Sequence, residues 1–396
     1  MTQVVIDISM SLDGFIAGPH DEIDPLHDWV FTGRAGDMSA LTEEGTALLR
    51  DAPRTVGAVI AGRRTYDLAE GWGGNPPLPG QYFVLSHHAP PEAARPGSRF
   101  SFVEGEIAGV VAQARTAAGE RDVVVMGGAS AASQAIKAGL VDELRIHLAP
   151  VLLGRGIRLF GDIGAEPIRL VRKSATASPR TIHLVFRVIH GNDAAEEPEL
   201  ELTRVANMRL GQVIVGTTMS LDGYINDRQG NLDGLGSDLD VLRKTEMLKE
   251  EIRTTGAVVM GRRAFDLAQG DLTGYAFQVP IFVLTHHAPE KEVRGQNEHL
   301  RVYYVADGIE SAVAKAKAAA GGKNVIVIGS ADTAQQCIAH GLADEIAVSI
   351  MPVLLGSGLR FFQETDRQIR LEKSSLIISP AGRTDIFYRV AGKGPS

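Results

Sequence analysis

The stretch Met10-Ser11-Leu12-Asp13-Gly14 occurs again as Met219-Ser220-Leu221-Asp222-Gly223, 209 residues further on (219 − 10). Three other motifs recur in the same order: Gly62-Arg63-Arg64 as Gly261-Arg262-Arg263, Phe83–Pro90 as Phe282–Pro289, and Pro150–Gly154 as Pro352–Gly356. Solenoid repeats have periods of roughly 20–50 residues, so this spacing indicates a duplicated domain. We therefore predict two domains, residues 1–190 and residues 208–392. An acidic linker that contains proline, residues 191–207, joins them.

The composition is ordinary for a soluble globular protein. The chain has 396 residues, of which 44% are hydrophobic and 22% are charged, and its formal net charge is −8. A nucleic-acid partner requires a basic face, so the negative charge argues against one. No apolar run approaches the roughly 18 residues of a membrane span, so we expect no membrane partner. The first ten residues lack the features of a secretory signal, and a cytoplasmic location is expected.

Short apolar runs alternate with segments of helical spacing. Val4–Ile8 and Val123–Met126 are apolar without strict alternation, which is typical of parallel strands that are covered on both faces. Later in the first copy, Leu144–Leu148, Ile168–Ser174 and Thr181–Val188 do alternate, which favours antiparallel strands. We therefore predict an α/β fold with two tandem domains. Each is a mostly parallel sheet with helices on both faces and antiparallel C-terminal strands.

Two glycine-containing turns each follow a predicted strand and precede a predicted helix. They are Gly62-Arg63-Arg64-Thr65 and Gly127-Gly128-Ala129. Helix N-termini attract anions, adjacent glycines let a diphosphate approach the backbone, and arginine binds phosphate with paired hydrogen bonds. The alternatives are a solvated basic turn and a plain tight turn. The second-copy counterparts are Gly261-Arg262-Arg263 and Gly329-Ser330, where the serine side chain would obstruct a diphosphate.

A hydroxyl followed by two histidines ends a strand in each copy. The first is Ser86-His87-His88 and the second is Thr285-His286-His287. Paired histidines suggest a metal, but adjacent strand residues point to opposite faces, and no Cys, Asp or Glu stands at ligand spacing. We therefore predict no metal, and favour contact of Ser86 and His87 with a nucleotide phosphate or adenine.

Two carboxylates and two aromatic residues are candidates for the substrate end. Asp13 follows the first strand, where functional loops of open α/β sheets lie. Asp24 stands in an acidic and aromatic stretch that includes Trp29, which suits a flat polar ring. The carboxylate of Asp13 would orient a substrate or cap the following turn. The counterparts of Asp13 and Asp24 in the second copy are Asp222 and Asp233, whereas Trp72 has no counterpart there.

Together these motifs resemble the dihydrofolate-reductase-like superfamily, and in particular the reductase domain of the riboflavin-biosynthesis deaminase–reductases. The matching segments are Ser11–Ala17, Gly62–Tyr66, Gly127–Ala129 and Leu140–Gly156 in the first copy, and Ser220–Ile225, Gly261–Phe265 and Leu342–Gly358 in the second. The resemblance implies NADPH as the cofactor.

The resemblance also implies residue roles. Ile16 and Ala17 would lie by the nicotinamide, Arg63, Arg64, Ser86 and His87 would meet the adenosine phosphate, and Gly127-Gly128 would hold the diphosphate. Asp13 or Asp24 would be the proton donor or its orienter, and Trp29 and Trp72 would line the substrate site.

One departure bears on the substrate. The riboflavin-pathway domain usually has lysine after Asp-Gly, where this chain has Phe15 and Tyr224. A phosphorylated ribosyl substrate needs a cation, so a riboflavin precursor is disfavoured. We expect an NADPH-dependent reductase of a small heteroaromatic or pterin-like substrate, with the first copy active and the second copy empty or weak. The two copies would pair as a pseudo-dimer within one chain. The alternative is a nucleotide-binding protein without turnover.

Overall fold

The computed structural model describes residues 2–88, 97–164, 166–191, 209–235, 243–267, 269–287, 293–329, 331–379 and 382–392. The chain forms two compact units. The first consists of Met1–Pro198, Pro352–Gly356 and Thr365–Gln368; the second consists of Glu199–Met351, Ser357–Glu364 and Ile369–Ser396. Apart from Gly191, the predicted linker lies outside the described residues.

The first unit alternates strands and helices up to β7 and ends in strands. Its strands are β1 (Val4–Ser11), β2 (Phe15–Ala17), β3 (Val56–Gly62), β4 (Gln81–Leu85), β5 (Phe100–Val103), β6 (Asp122–Val125), β7 (Glu143–Ala149), β8 (Val151–Leu152), β9 (Ile157–Arg158), β10 (Ile168–Ala177), β11 (Ile182–Val188) and β18 (Val353–Leu354). Its helices are α1 (Asp24–His27), α2 (Glu43–Thr55), α3 (Arg63–Leu68), α4 (Ile107–Ala118) and α5 (Ala129–Lys137), with a 3-10 segment at Glu70–Gly74.

The main sheet of the first unit runs in the order β18-β10-β11-β7-β1-β6-β3-β4-β5. The pairs from β7 to β5 are parallel, whereas β11 is antiparallel to both β7 and β10. The apolar runs predicted as central strands are almost completely buried, as strands covered on both faces must be. The predicted α/β class with a mostly parallel sheet and antiparallel C-terminal strands is confirmed.

One strand direction differs from the sequence prediction. Leu144–Leu148 was expected to be antiparallel, but β7 is parallel to β1 and antiparallel only to β11. It follows the helix α5, and a strand–helix–strand crossover returns the chain in the same direction. The alternating pattern of β7 reports which residues face solvent, and it does not report the direction of the strand.

The second unit repeats this strand order. Its strands are β12 (Val213–Ser220), β13 (Thr255–Gly261), β14 (Ile281–Leu284), β15 (Val302–Val305), β16 (Asn324–Ile328), β17 (Glu345–Met351), β19 (Ile369–Ile378) and β20 (Thr384–Val390). Its helices are α6 (Glu246–Thr254), α7 (Arg262–Leu267), α8 (Ile309–Ala320) and α9 (Ala331–Ala339), with a 3-10 turn at Asp233–Leu235. These strands follow the order β15-β14-β13-β16-β12-β17-β20-β19. Among the described residues, no helix is both long and apolar enough to cross a membrane.

Candidate active site

A cavity of about 1720 Å³ opens beyond the carboxyl ends of the parallel strands in the first unit. This is the edge where ligands bind in open α/β sheets. Every residue predicted to touch the cofactor in the first copy lines this cavity: Ile16, Ala17, Gly62, Arg63, Arg64, Thr65, Ser86, His87, Gly127, Gly128 and Ala129. The predicted ring-binding residues Trp29 and Trp72 line it as well.

The two glycine-containing turns pack directly against each other. Gly127 and Gly128 have φ values of +76° and +88°, which favour glycine. A Cβ atom on Gly128 would lie 3.1 Å from the Gly62 Cα, and a Cβ on Gly127 would lie 2.9 Å from the Thr65 side chain. The two turns can therefore pack this closely only because Gly127 and Gly128 carry no side chain.

Arg63 is held between its own helix and the end of β4. Its Nε donates to Asp67 Oδ1 at 2.8 Å, and its Nη1 donates to the backbone oxygen of His88 at 2.6 Å. The same Nη1 lies 3.3 Å from Ser86 Oγ. These bonds fix the guanidinium group on the cavity wall beside Ser86 and His87, as the sequence predicted for an adenosine-phosphate contact.

Arg64 also lines the cavity, and an ion pair holds its guanidinium group. Its Nε and Nη2 donate to the two carboxylate oxygens of Asp21 at 2.9 and 2.7 Å. Asp21 follows β2, so this ion pair joins the first loop to the helix α3. Sequence reasoning missed Asp21, because its partner lies 43 residues away along the chain.

Asp13 is a structural residue and not the proton donor that the sequence suggested. Its carboxylate is 6% exposed and accepts hydrogen bonds from Ser11 Oγ (2.6 Å) and from the backbone N–H groups of Leu153 (3.1 Å) and Gly154 (2.7 Å). Burial raises the pKa of this carboxyl. Asp13 does not line the cavity; it ties the turn after β1 to the segment after β8.

Asp24 is also displaced from the predicted role. It is exposed at the start of α1, where its Oδ1 accepts the backbone N–H of Ala35 at 2.7 Å, and it does not line the cavity. This bond ties the start of α1 to the loop that contains Ala35. Neither of the two predicted proton donors reaches the site, because both carboxylates satisfy backbone N–H groups instead.

The substrate end instead contains a row of polar side chains that sequence reasoning missed. This acid row consists of Asp7 on β1, His147 on β7, His183 on β11 and Glu44 on α2. Asp7 Oδ1 lies 2.8 Å from His147 Nε2, and His147 Nδ1 lies 2.7 Å from His183 Nδ1. His183 Nε2 lies 3.6 Å from Glu44 Oε2. Asp7 and His147 line the cavity.

Trp29 covers the acid row. Its ring centroid lies 4.4 Å from that of His147 and 5.0 Å from that of His183, and its Nε1 donates to Ser9 Oγ at 2.9 Å. Trp72 lies elsewhere on the cavity wall, stacked on Phe100 at 6.1 Å. One sequence feature could have revealed the row: Asp7 is the only charged residue in the apolar run Val4–Ile8.

At the corresponding strand positions, the second unit has different side chains. There Gly216 pairs with Ala347 as Asp7 pairs with Arg145, and Ser349 pairs with Asp385 as His147 pairs with His183. Ser349 donates to Asp385 Oδ1 at 2.5 Å. Both side chains also bond the buried Arg383. Among the described residues, this closed network replaces the acid row.

The second unit keeps more of the residues predicted to contact the nucleotide than of those in the acid row. Arg262 donates to Asp266 Oδ1 at 2.7 Å and to the backbone oxygen of His287 at 2.9 Å, as Arg63 does with its partners. Gly261 ends β13 and Thr285 follows β14, as Gly62 and Ser86 do in the first unit. Arg263 and His286 are exposed, and Gly329 has φ +86°. Asp222 is buried and accepts Ser220 Oγ at 2.5 Å, like Asp13. Ser330 lies outside the described residues, as does the side chain of Asp233.

Comparison with known proteins identifies the family. The model of the RibD C-terminal domain matches residues 2–184 and 212–379, which is well over half of the chain. The chain therefore belongs to the RibD C-terminal domain family and carries two copies of that domain, so the resemblance found in the sequence is confirmed.

Individual relatives are distant. The uncharacterized protein YyaP of Bacillus subtilis is 27% identical over 199 residues, which is 47% of this chain and 98% of YyaP. The riboflavin biosynthesis protein RibD of Corynebacterium ammoniagenes is 46% identical over 61 residues, which is 15% of this chain and 17% of that protein.

Two solved structures are also similar. A pyrimidine reductase-like protein from Corynebacterium diphtheriae has 13% identity and a TM-score of 0.33, and covers 46% of this chain and 92% of its own. Dihydrofolate reductase from Enterococcus faecalis, complexed with NADP(H), has 17% identity and a TM-score of 0.32, and covers 46% and 98%. The family assignment rests on the matched family model.

The structural role of Asp13 leads to a stability prediction. Asp13→Asn places an amide N–H₂ against one of the two backbone N–H donors of Leu153 and Gly154. We expect a loss of roughly 1–3 kcal/mol in the free energy of unfolding, measured by urea denaturation. Asp24→Asn is the control, and it should cost far less because Asp24 is exposed. Equal effects of the two substitutions would contradict the buried role of Asp13.

Proposed function

We propose that the protein is an NADPH-dependent reductase of a small heteroaromatic or pterin-like substrate, and that its active site is the cavity of the first unit. The observation that carries the proposal is that a single cavity contains both a candidate cofactor-binding end and a candidate substrate-binding end. One end has the paired glycine turns with Arg63 and Arg64, and the other has Trp29 above the acid row. Membership of a reductase-domain family supports the same reaction class.

The residues present fit this cofactor. The diphosphate would lie against Gly127 and Gly128, which line the cavity at the N-terminus of α5 and have positive φ values. Arg63 and Ser86 would hold the adenosine phosphate, and Ile16 and Ala17 would flank the nicotinamide. When bound, NADPH supplies a hydride, while the protein supplies position and a water-poor site. The volume of about 1720 Å³ exceeds the roughly 300–1,000 Å³ of common ligand pockets, so a substrate fits beside the dinucleotide.

The substrate end suits a flat polar ring better than a phosphorylated one. Trp29 lines the cavity and packs on His147, which is hydrogen-bonded to Asp7, and the carboxylate of Asp7 can accept hydrogen bonds from ring N–H groups. Phe15, at the position where the riboflavin-pathway domain usually has lysine, is fully buried and carries the Arg158 guanidinium 4.0 Å above its ring. Phe15 therefore supplies neither a cation nor a contact to the cavity.

The proposal is tested by NADPH binding and oxidation. We expect the fluorescence of NADPH to change on titration with the protein. We also expect NADPH oxidation with at least one acceptor from a panel of 7,8-dihydropterin, riboflavin, a pyrimidine and a quinone. Absence of NADPH binding would overturn the cofactor assignment. Binding without oxidation of any acceptor would favour a nucleotide-binding protein without turnover.

The arginines predict a preference for NADPH over NADH. Replacing Arg63 and Arg64 together by Ala should raise the Kd for NADPH about tenfold or more, because charge-assisted contacts to the extra phosphate contribute roughly 1.5–3 kcal/mol each. Weak NADH binding should stay nearly unchanged. The control is Arg262→Ala with Arg263→Ala, which makes the same change in the second unit. Equal losses for both cofactors would show that Arg63 and Arg64 have another role.

The glycine turn predicts a second cofactor defect. In Gly128→Ser the new Cβ would lie 3.1 Å from Gly62 Cα, in a backbone conformation that serine rarely adopts. We expect NADPH binding to be abolished while the overall circular dichroism spectrum is kept. Gly109→Ser, on α4 where a Cβ meets nothing within 4 Å, is the control. Normal NADPH affinity in Gly128→Ser would contradict the diphosphate site.

A further inference from the structure

The acid row has hydrogen bonds that determine where its protons lie. His147 and His183 meet through their Nδ1 atoms at 2.7 Å, so one ring must donate and the other must accept. Glu44 Oε2 is buried without a hydrogen-bond partner, and it lies 3.6 Å from His183 Nε2. A carboxylate there favours a proton on His183 Nε2. Neutral His183 then accepts at Nδ1, and His147 is the donor.

Burial and charge support this arrangement. Burial lowers the pKa of His183 to about 4, and the neighbouring His147 acts in the same direction, so His183 is neutral at pH 7. Burial raises the pKa of Asp7, but the hydrogen bond and charge of His147, together with Arg145, outweigh burial and lower it. Since His147 Nδ1 donates to His183, the hydrogen bond of 2.8 Å between His147 Nε2 and Asp7 Oδ1 needs a further proton between these two atoms.

The groups around the row come from several elements. Arg145 on β7 lies 3.8 Å from Asp7 Oδ2 and is itself bonded to Glu143 and close to Asp122 on β6. His27 on α1 lines the cavity nearby, and burial lowers its pKa. No other charged group is shown in contact with Asp7 within the described ranges. Arg145 thus keeps Asp7 anionic once its proton has left.

The two ends of the row meet different surroundings. Asp7 lines the cavity with 21% of its side chain exposed, whereas Glu44 is 33% exposed on α2. Trp29 covers the imidazoles between them. The second unit provides a comparison within the chain: Gly216 stands at the register of Asp7 and removes the carboxylate altogether. The row is therefore confined to the unit that holds the cavity, and the fold itself does not need it.

We propose that the hydrogen-bonded pair of Asp7 and His147 is the proton donor of the cavity, with Asp7 as its carboxylate at the cavity wall, and that His183 and Glu44 are positioning residues that fix the tautomer of His147. This inference rests on the proposed reductase function. Hydride addition to the carbon of a C=N bond forms a C–H bond, breaks the π bond and leaves the electron pair on nitrogen, while NADPH becomes NADP⁺. The nitrogen then takes the proton held between Asp7 and His147. Asp7 is left as a carboxylate and His147 as a neutral imidazole, and water restores the proton after the product leaves.

The first experiment needs neither cofactor nor substrate. In Trp72→Phe protein, Trp29 is the remaining tryptophan, so its emission reports protonation of the adjacent imidazoles. We expect a pH titration of this emission with a midpoint at about pH 4, from His183, that His183→Gln abolishes. Glu44→Gln should move its midpoint about 1 pH unit lower, because a carboxylate near an imidazolium stabilises it. Glu43→Gln, the exposed neighbour on α2, is the matched control. An equal shift of the midpoint in Glu44→Gln and in Glu43→Gln would overturn the proposed coupling of Glu44 to the histidines of the acid row.

The second experiment measures catalysis with 7,8-dihydropterin as the probe acceptor. Asp7→Asn should lower kcat about 100-fold, in line with the loss of a general acid, and change the Kd for NADPH little. Glu44→Gln should shift the pH profile of kcat, whereas Glu43→Gln should not. An unchanged kcat in Asp7→Asn would overturn the catalytic role. If the wild-type protein oxidises NADPH with none of the acceptors, the reductase function and the catalytic role of Asp7 fail together. The fluorescence titration then still decides whether the row exists as a coupled unit.

Discussion

Parallel pairing of β1, β3, β4 and β6 is the constraint on which the site depends. Parallel strands end at the same edge of a sheet, so the segments that follow them meet there. The register pairs Ile60 with Val125 and Gly62 with Leu85, which brings the Gly62 turn beside both the Gly127 turn and Ser86. A slip by one residue would turn each side chain to the opposite face and separate these groups.

Comparison of the two units distinguishes the residues that the fold requires from those that the proposed chemistry requires. Both keep the buried Ser–Leu–Asp turn, with Asp13 and Asp222 bonded in the same way to Ser11 and Ser220. Among the residues that the structure describes, only the first unit has the acid row, and in the second Arg383 closes a buried network at the corresponding place. The turn shared by both units thus belongs to the fold, and the reductase chemistry that we propose depends on residues in which the two units differ.

The sequence predicted the elements better than the site. The predicted strands Val4–Ile8 and Val123–Met126 correspond to β1 and β6, and the glycine turns line the cavity, because apolar runs and glycine both report local backbone. Asp13 and Asp24 were misassigned, since a sequence does not show that a carboxylate is already used by backbone N–H groups. The acid row was missed for a different reason: Asp7 meets His147 across 140 residues of chain, and only the strand order brings them together.

Isothermal titration calorimetry of the whole chain with NADPH tests the central claim most directly. The cavity with its open glycine turn and its acid row lies in the first unit, so we predict one NADPH molecule per chain at high affinity, with the second unit empty or weak. The Gly128→Ser chain should then lose the high-affinity binding. Two equal NADPH molecules per chain would contradict the assignment of the active site to the first unit.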